Sequence, residues 1–359
     1  MATAGLWGWM PTIDEANWFT NLLLGQIYSS GILLVIYKCY KRCIRLYTRS
    51  SELNRICHYA AVKNHISPIL DISSDEVDND PIKLAKDSAK RCNVDPELIQ
   101  RVEHCLMYST KLMLPRRDFE ARQAMLEKPL VKILEQKQFP LNGSILTPSA
   151  IILRACMEKI LRSYELMHHL NERAATKYNT VVPYNEIKLM EIWNILMPHK
   201  RLSNRYSLDW QDIGFQGQDP ATDFRGMGLL SLDDLHFLCK KRPSLAARIL
   251  SSSRQDASWF PFAVTSIHIT DFTLRMMRTR LLQNTLYRLG IEEDVYREVY
   301  CYFFDGFEKY WLSQKEPPKA IHFEQLFKEY QIKAERELFE MRIPVLEYSG
   351  LVANRKKDD

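Results

Sequence analysis

Arg225 lies between Phe224 and Gly226 in a segment, residues 210–230, that reads WQDIGFQGQDPATDFRGMGLL. A guanidinium held stiffly in a loop can serve phosphoryl transfer, because it places a fixed cation where negative charge builds on the departing phosphate. Delivered in trans to a GTPase, such an arginine finger speeds hydrolysis by on the order of 10³ to 10⁵. Asp219 and Asp223 are near enough in sequence to hold the guanidinium in a defined pose. The same residues support a second reading, in which Arg225 only bridges those carboxylates and closes the loop. Most loop arginines beside aspartates do this, so residue chemistry taken alone favours the bridge.

The segment around Arg225 is not ordinary helix. Four of the chain's 12 glycines, Gly214, Gly217, Gly226 and Gly228, fall within it. Glycine is favoured where the backbone needs positive φ or where another segment must approach closely. Asp219-Pro220 and Thr222-Asp223 add turn chemistry and local side-chain-to-backbone bonds. The pattern predicts a rigid, irregular loop between two helices. Trp210, Ile213 and Phe215 pin one side of it, and Leu229 and Leu230 the other. Gln216 reads best as a buried amide supporting the loop, with a supporting role in catalysis as the alternative. No G-x-x-x-x-G-K-[ST] is present and no strand flanks the loop, so any GTP involved is carried by a partner.

Other reactive residue types suggest less. The 8 cysteines include no C-x-x-C and read as reduced thiols. The His168-His169 pair lacks an H-E-x-x-H setting and is expected on a helix surface, so no metal site is predicted. Asp271, an acid within an apolar helix, either contacts a receptor or, on the preferred reading, bonds a neighbouring helix end. A net charge of +5 is too small to imply nucleic acid without a concentrated patch.

A basic patch does exist, but beside an apolar segment. Residues 18–37, WFTNLLLGQIYSSGILLVIY, carry no charge and have about the length of a bilayer-spanning helix. The polar residues Thr20, Asn21, Gln26, Ser29 and Ser30 spread around the helix axis, whereas a surface-lying helix segregates them. Spanning is the preferred reading, and docking on the protein's own core the alternative. Lys38, Lys41, Arg42, Arg45 and Arg49 follow, while Asp14 and Glu15 precede, which places the rest of the chain in the cytosol. Cys39 and Cys43 sit where S-palmitoylation occurs, or are plain surface thiols. The terminal Lys356-Lys357-Asp358-Asp359 resembles a dilysine retrieval signal of endoplasmic-reticulum membrane proteins, or is a solvated charged end.

The body of the chain reads as all-α. The acidic run 71–81 lacks apolar periodicity and reads as a linker. Asp95-Pro96 and Thr147-Pro148 each place a capping residue before a proline suited to the first helical position. Helices follow over 187–197, from a capping box of Ser231 and Asp234, and over 323–340. Between them runs an aromatic helix containing Tyr296, Tyr300, Tyr302, Phe303, Phe304, Phe307, Tyr310 and Trp311, expected to be core. This divides the chain into an N-terminal anchor with basic collar (1–50), a helical region holding the acidic linker (51–147), a main helical domain (148–340) and a tail (341–359).

Trp210, Ile213, Gly214, Phe215, Gln216, Asp219, Pro220, Thr222, Asp223, Phe224, Arg225, Gly226, Gly228 and Leu232 together closely resemble the signature of the ELMO (engulfment and cell motility) domain. Further similarity appears in LMEIWNILMP (189–198) and IHITDF (267–272), and the likeness is densest from about 150 to 335. The resemblance makes 148–340 the ELMO domain. It is closest to the short ELMO-domain-containing proteins, which carry the arginine, and this implies GTPase-activating activity toward Arf and Arf-like GTPases at an intracellular membrane. The longer branch lacks the arginine and scaffolds exchange factors, so a non-catalytic adaptor or effector is the alternative. On the first reading Arg225 is catalytic. Trp210, Phe215, Gln216, Asp219, Thr222, Asp223, Gly226 and Gly228 support the loop or touch the partner. The chain needs no cofactor or metal of its own, because GTP and magnesium belong to the GTPase.

Overall fold

A computed structural model describes residues 18–66, 80–107, 126–140 and 144–339, and among these every regular element is helical. Most of the acidic run 71–81, together with Lys356 and Lys357, lies outside them. The chain divides into two compact units, Met1–Tyr164 and Glu165–Asp359.

In the first unit the described helices are α1 (Trp18–Ser29), α2 (Gly31–Thr48), α3 (Glu52–Lys63), α4 (Pro81–Arg91), α5 (Pro96–Met107) and α6 (Glu127–Gln136), followed by the first part of α7 (Pro148–Ala175). Helices α5 and α7 begin at the prolines that the sequence marks. Ile56, Cys57, Val102, Leu130, Ile133, Ile152 and Cys156 form a fully buried core. Arg101 is buried against it, with Nη2 2.7 Å from Glu52 Oε1 and 3.0 Å from the Tyr37 hydroxyl. Burial opposes the charged form of Glu52, yet Arg101 and Lys41 together hold its carboxyl below the ordinary value.

The expected continuous helix over 18–37 is broken. Ser30 adopts extended backbone and caps α2, its side chain accepting from the Leu33 N–H. The preceding ladder stops there, and α1 and α2 meet at 117°. No single helix among the described residues is long and apolar enough to cross a membrane, although the bent pair has the length and composition together. The two halves face different surroundings. Asn21 and Leu24 on α1 are buried, and Asn21 Nδ2 donates to Glu97 O (3.0 Å) and Gln100 Oε1 (3.2 Å) on α5. Ile32, Val35 and Ile36 on α2 are exposed, as are Cys39 and Cys43.

The second unit holds the remainder of α7, then α8 (Pro183–Leu196), two short 3-10 turns (Leu208–Ile213 and Pro220–Gly226), α9 (Gly228–Lys241), α10 (Pro243–Ser253), α11 (Phe262–Arg278), α12 (Gln283–Leu289), α13 (Glu293–Leu312) and α14 (Phe323–Phe339). Helix α9 runs through the middle and packs on α8, α10, α11 and α13. Six of the eight aromatics of α13 are core, as their spacing predicts, whereas Tyr302 and Tyr310 are only half-buried, Tyr310 with its hydroxyl bonded to Glu329. Phe307 alone meets Phe260, Trp311, Phe323, Phe327 and Tyr330 at ring-centroid distances of 5.3–5.8 Å.

Two local expectations fail. Helix α9 starts at Gly228, so Ser231 and Asp234 lie inside it rather than forming a capping box. Ser231 Oγ bonds back to Gly228 O, and Asp234 is fully buried. Asp271 is exposed and bonds no helix end among the described residues.

Candidate functional site

The loop predicted around Arg225 is built from the two 3-10 turns, and its rigidity has identifiable sources. Trp210 is completely buried, donates its indole N–H to Arg205 O (2.9 Å), and meets Trp193 and Phe215 edge to face. Phe215 in turn meets Phe224, which stacks on Tyr178 at 5.5 Å with the ring planes 13° apart. This aromatic chain ends on Phe224, the residue just before Arg225, and Tyr178. Gly214 has φ +85, and a Cβ there would fall 2.3 Å from the Phe262 backbone nitrogen. Only glycine lets the loop seat so closely on the start of α11. Gly228 has φ +50 and lies equally tight against Thr176 O, at 2.3 Å for an added Cβ. Gly217 and Gly226 need no positive φ, and an added Cβ would meet nothing at Gly217 and only Ile267 at Gly226, at 3.9 Å.

The carboxylates do not do what the sequence suggests. Asp219 caps the second turn by accepting from the Ala221 N–H at 3.0 Å, and takes a second bond, also 3.0 Å, from Arg205 Nη1. Asp223 accepts from the Gln216 N–H at 2.8 Å, closing the loop across its base. Burial raises the Asp223 carboxyl above its ordinary value, while the Gln216 bond and the nearby charge of Arg225 oppose the rise. Neither aspartate forms an ion pair with Arg225. Its side chain is exposed and has no hydrogen-bonded or ion-paired partner among the described residues. Gln216 is not a buried amide either: it is exposed and contributes its backbone, its carbonyl accepting from Gln211 Nε2. Thr222 is exposed, its hydroxyl bonded to Asp219 O.

Sequence reasoning missed the clamp behind the loop. Arg205 reaches Glu186 on α8 through Nε (2.5 Å) and Nη2 (3.1 Å) while also holding Asp219. The Tyr178 hydroxyl donates to the same Glu186 at 2.7 Å. Residues 178, 186, 205 and 219 follow no helical or strand period, so no spacing in the chain could have joined them.

The matches to known proteins fall on the same region. The profile of the ELMO/CED-12 family matches residues 168–327. The chain is 32% identical to ELMO domain-containing protein 2 of Mus musculus, over 64% of this chain and 78% of that protein. It is 30% identical to the Homo sapiens protein of the same name, over 66% and 80% of the two chains. The chain belongs to the ELMO domain family. A relative from Dictyostelium discoideum, ELMO domain-containing protein B, extends the likeness to 84% of this chain and 94% of its own length, at 28% identity. The matched ELMO region contains the arginine loop, the Arg205 clamp and the buried aromatic helix α13.

A second concavity of about 460 Å³ in the same ELMO unit is lined by Arg173, Lys188, Asp233, His236, Lys241 and Arg297, among others. Its central cations are already engaged, since Arg173 and Lys188 share Asp233 and Arg297 faces Glu293 and Asp294. Nor do the paired histidines gather as ligands. His168 pairs with Glu172 and His169 with Glu293.

Proposed function

We propose that this ELMO protein accelerates GTP hydrolysis on small GTPases of the Arf family by inserting Arg225 in trans. The observation that carries the reading is an exposed guanidinium with no hydrogen-bonded or ion-paired carboxylate among the described residues, on a loop whose Asp219 and Asp223 are bonded elsewhere. A bridging role for Arg225 would need an ion pair with Asp219 or Asp223, and that geometry is lacking. The resemblance of the arginine-bearing signature to the short ELMO proteins supplies the substrate class. On this reading Arg225 neutralises charge on the β–γ bridging oxygen and the γ-phosphate, and the GTPase brings GTP and magnesium. Positioning and electrostatics are the whole of the contribution, so no cofactor is needed on this chain.

The reading includes a location at an intracellular membrane, cytosol-facing. The uncharged stretch, the exposed apolar face of α2 and the basic residues that follow support it.

Single-turnover hydrolysis by GTP-loaded Arf and Arf-like GTPases, with and without the full-length protein, tests the mechanism. Arg225→Ala and Arg225→Lys are both expected to lose at least about 10²-fold of the stimulated rate, because a point charge does not reproduce the planar fork. Stimulation that survives in both variants would exclude Arg225 as the catalytic group.

A further inference from the structure

The arginine loop is one edge of a larger stiff surface. Glu186 at the start of α8 is tied to Arg205 and Tyr178, Arg205 to Asp219, and Tyr178 to Phe224. The Leu229 N–H donates to Thr176 O at 2.9 Å, joining the end of α7 to the start of α9. The α7–α8 turn, the first turn of α8 and the arginine loop are therefore tied to one another by hydrogen bonds and a ring stack. On these segments Val181, Val182, Ile187, Tyr206 and Leu208 stand in water, each between 42% and 83% exposed. Single exposed apolar side chains are ordinary, but several grouped about one hydrogen-bonded hub mark a contact surface. Tyr206 is also held in place, its ring under the Arg205 guanidinium at 5.1 Å.

The carboxylates in and beside this surface are locally engaged, among them Asp209, next to Leu208, and Asp212, both held by Lys200. Glu186, Asp219 and Asp223 are turned inward onto Arg205 and backbone N–H groups, whereas Lys177 and Arg225 are exposed. An occupant that suits it combines an apolar protein face with a dense negative charge beside it. The bare backbone at Gly217 and Gly226, where an added Cβ finds open space or one distant methyl, lets that occupant approach closely.

We propose that Val181, Val182, Ile187, Tyr206 and Leu208 form the docking surface for the nucleotide-binding face of the GTP-loaded GTPase, its triphosphate seated toward Lys177 and Arg225. The proposal rests on the reading of Arg225 given above and adds where the partner binds. A lipid surface is disfavoured because polybasic clusters, rather than one or two cations in a glycine loop, anchor proteins to anionic leaflets. Tyrosine is enriched among the residues that dominate interface affinity and Val and Leu are not, so Tyr206 is the expected anchor and the aliphatic side chains around it supply the surrounding contact.

The test measures binding of the full-length protein and its variants to an Arf-family GTPase loaded with a non-hydrolysable GTP analogue or with GDP. Ile187→Glu, Tyr206→Glu and Leu208→Glu are each expected to weaken binding to the GTP-analogue form at least about tenfold. They should raise the half-saturating concentration in the hydrolysis assay while leaving the saturated rate near wild type. Arg225→Ala is expected to bind within about threefold of wild type and lose the rate. Thermal melts of the glutamate variants, which change only exposed side chains, should match wild type. Folded glutamate variants that bind like wild type would overturn the docking surface while leaving the catalytic reading intact. Patch-dependent binding with hydrolysis indifferent to Arg225 would do the reverse. A wild-type chain that binds no GTP-loaded member would overturn both. Glutamate variants that lose flotation with anionic vesicles but keep the GTPase would reassign the patch to lipid.

Discussion

At Arg225 the sequence left two readings open, a catalytic finger posed by Asp219 and Asp223 and a structural bridge to the same carboxylates, and in the structure neither aspartate pairs with the guanidinium. The reason lies in Arg205, which takes Asp219 for itself, and in the Gln216 N–H, which takes Asp223. Sequence proximity of opposite charges predicted the wrong partner because a tertiary neighbour and a backbone donor competed for the same carboxylates. The glycines divide in the same way. Positive φ and a backbone approach of 2.3 Å make Gly214 irreplaceable, whereas Gly217 faces open space. Gly214→Ala is expected to cost more than about 2 kcal/mol in a denaturant titration, and Gly217→Ala no more than about 0.5 kcal/mol. Equal losses at the two positions would show that loop closure does not depend on the Gly214 contact.

Helix α9 shows how an element can be legible in type and misread at its end. Ser231 and Asp234 have the spacing of a capping box, yet the helix begins three residues before Ser231, because Gly228 tucks under Thr176 O and lets the backbone turn early. Asp234 is thereby carried into the core beside Thr270, Tyr296 and Arg297, whose Nε lies 3.9 Å away. Burial pushes its carboxyl up to about 8 from 3.8, with Arg297 and Thr270 opposing the rise and Asp233 and Glu293 adding to it. The folded state therefore holds a proton that the unfolded chain gives up near pH 4. Stability from this group is complete below that pH and is lost progressively as pH rises through about 8. The wild type is expected to lose Tm between pH 5 and pH 8.5, and Asp234→Asn should flatten that fall. A variant with an undiminished slope would assign the pH dependence to other groups. Helix α13, by contrast, was legible in its position and in most of its stripe, since phenylalanine and tryptophan have no competing way to be satisfied, whereas Tyr302 and Tyr310 carry a hydroxyl that suits a half-buried place.

Across the whole molecule, composition and periodicity were enough to give an all-helical chain, and the signature around Arg225 was enough to point to the ELMO family. The N-terminal stretch was legible in its apolarity but not in its shape. Ser30 alone, by capping a new helix, turns one expected span into two segments at 117°. Asn21, counted as a polar blemish in a span, is a buried contact to α5. The membrane reading is therefore best tested on α2, since deleting the whole stretch would also uncover the core of the first unit. The wild-type protein should stay with membranes after alkaline carbonate extraction. Combined Ile32→Lys, Val35→Lys and Ile36→Lys substitutions should release it without lowering Tm. A wild-type protein that is itself released would remove the membrane from the proposal.

Among the described residues Arg225 has no hydrogen-bonded or ion-paired partner, and this bears on control. None of those residues forms a catch that must be released before the side chain can act, and on the proposed reading they leave the loop armed whenever the ELMO unit is folded. Restraint must then come from outside the loop, through where the protein is kept and when a loaded partner comes within reach. Raising its abundance would shorten the lifetime of the loaded partner in direct proportion, with no activating signal required.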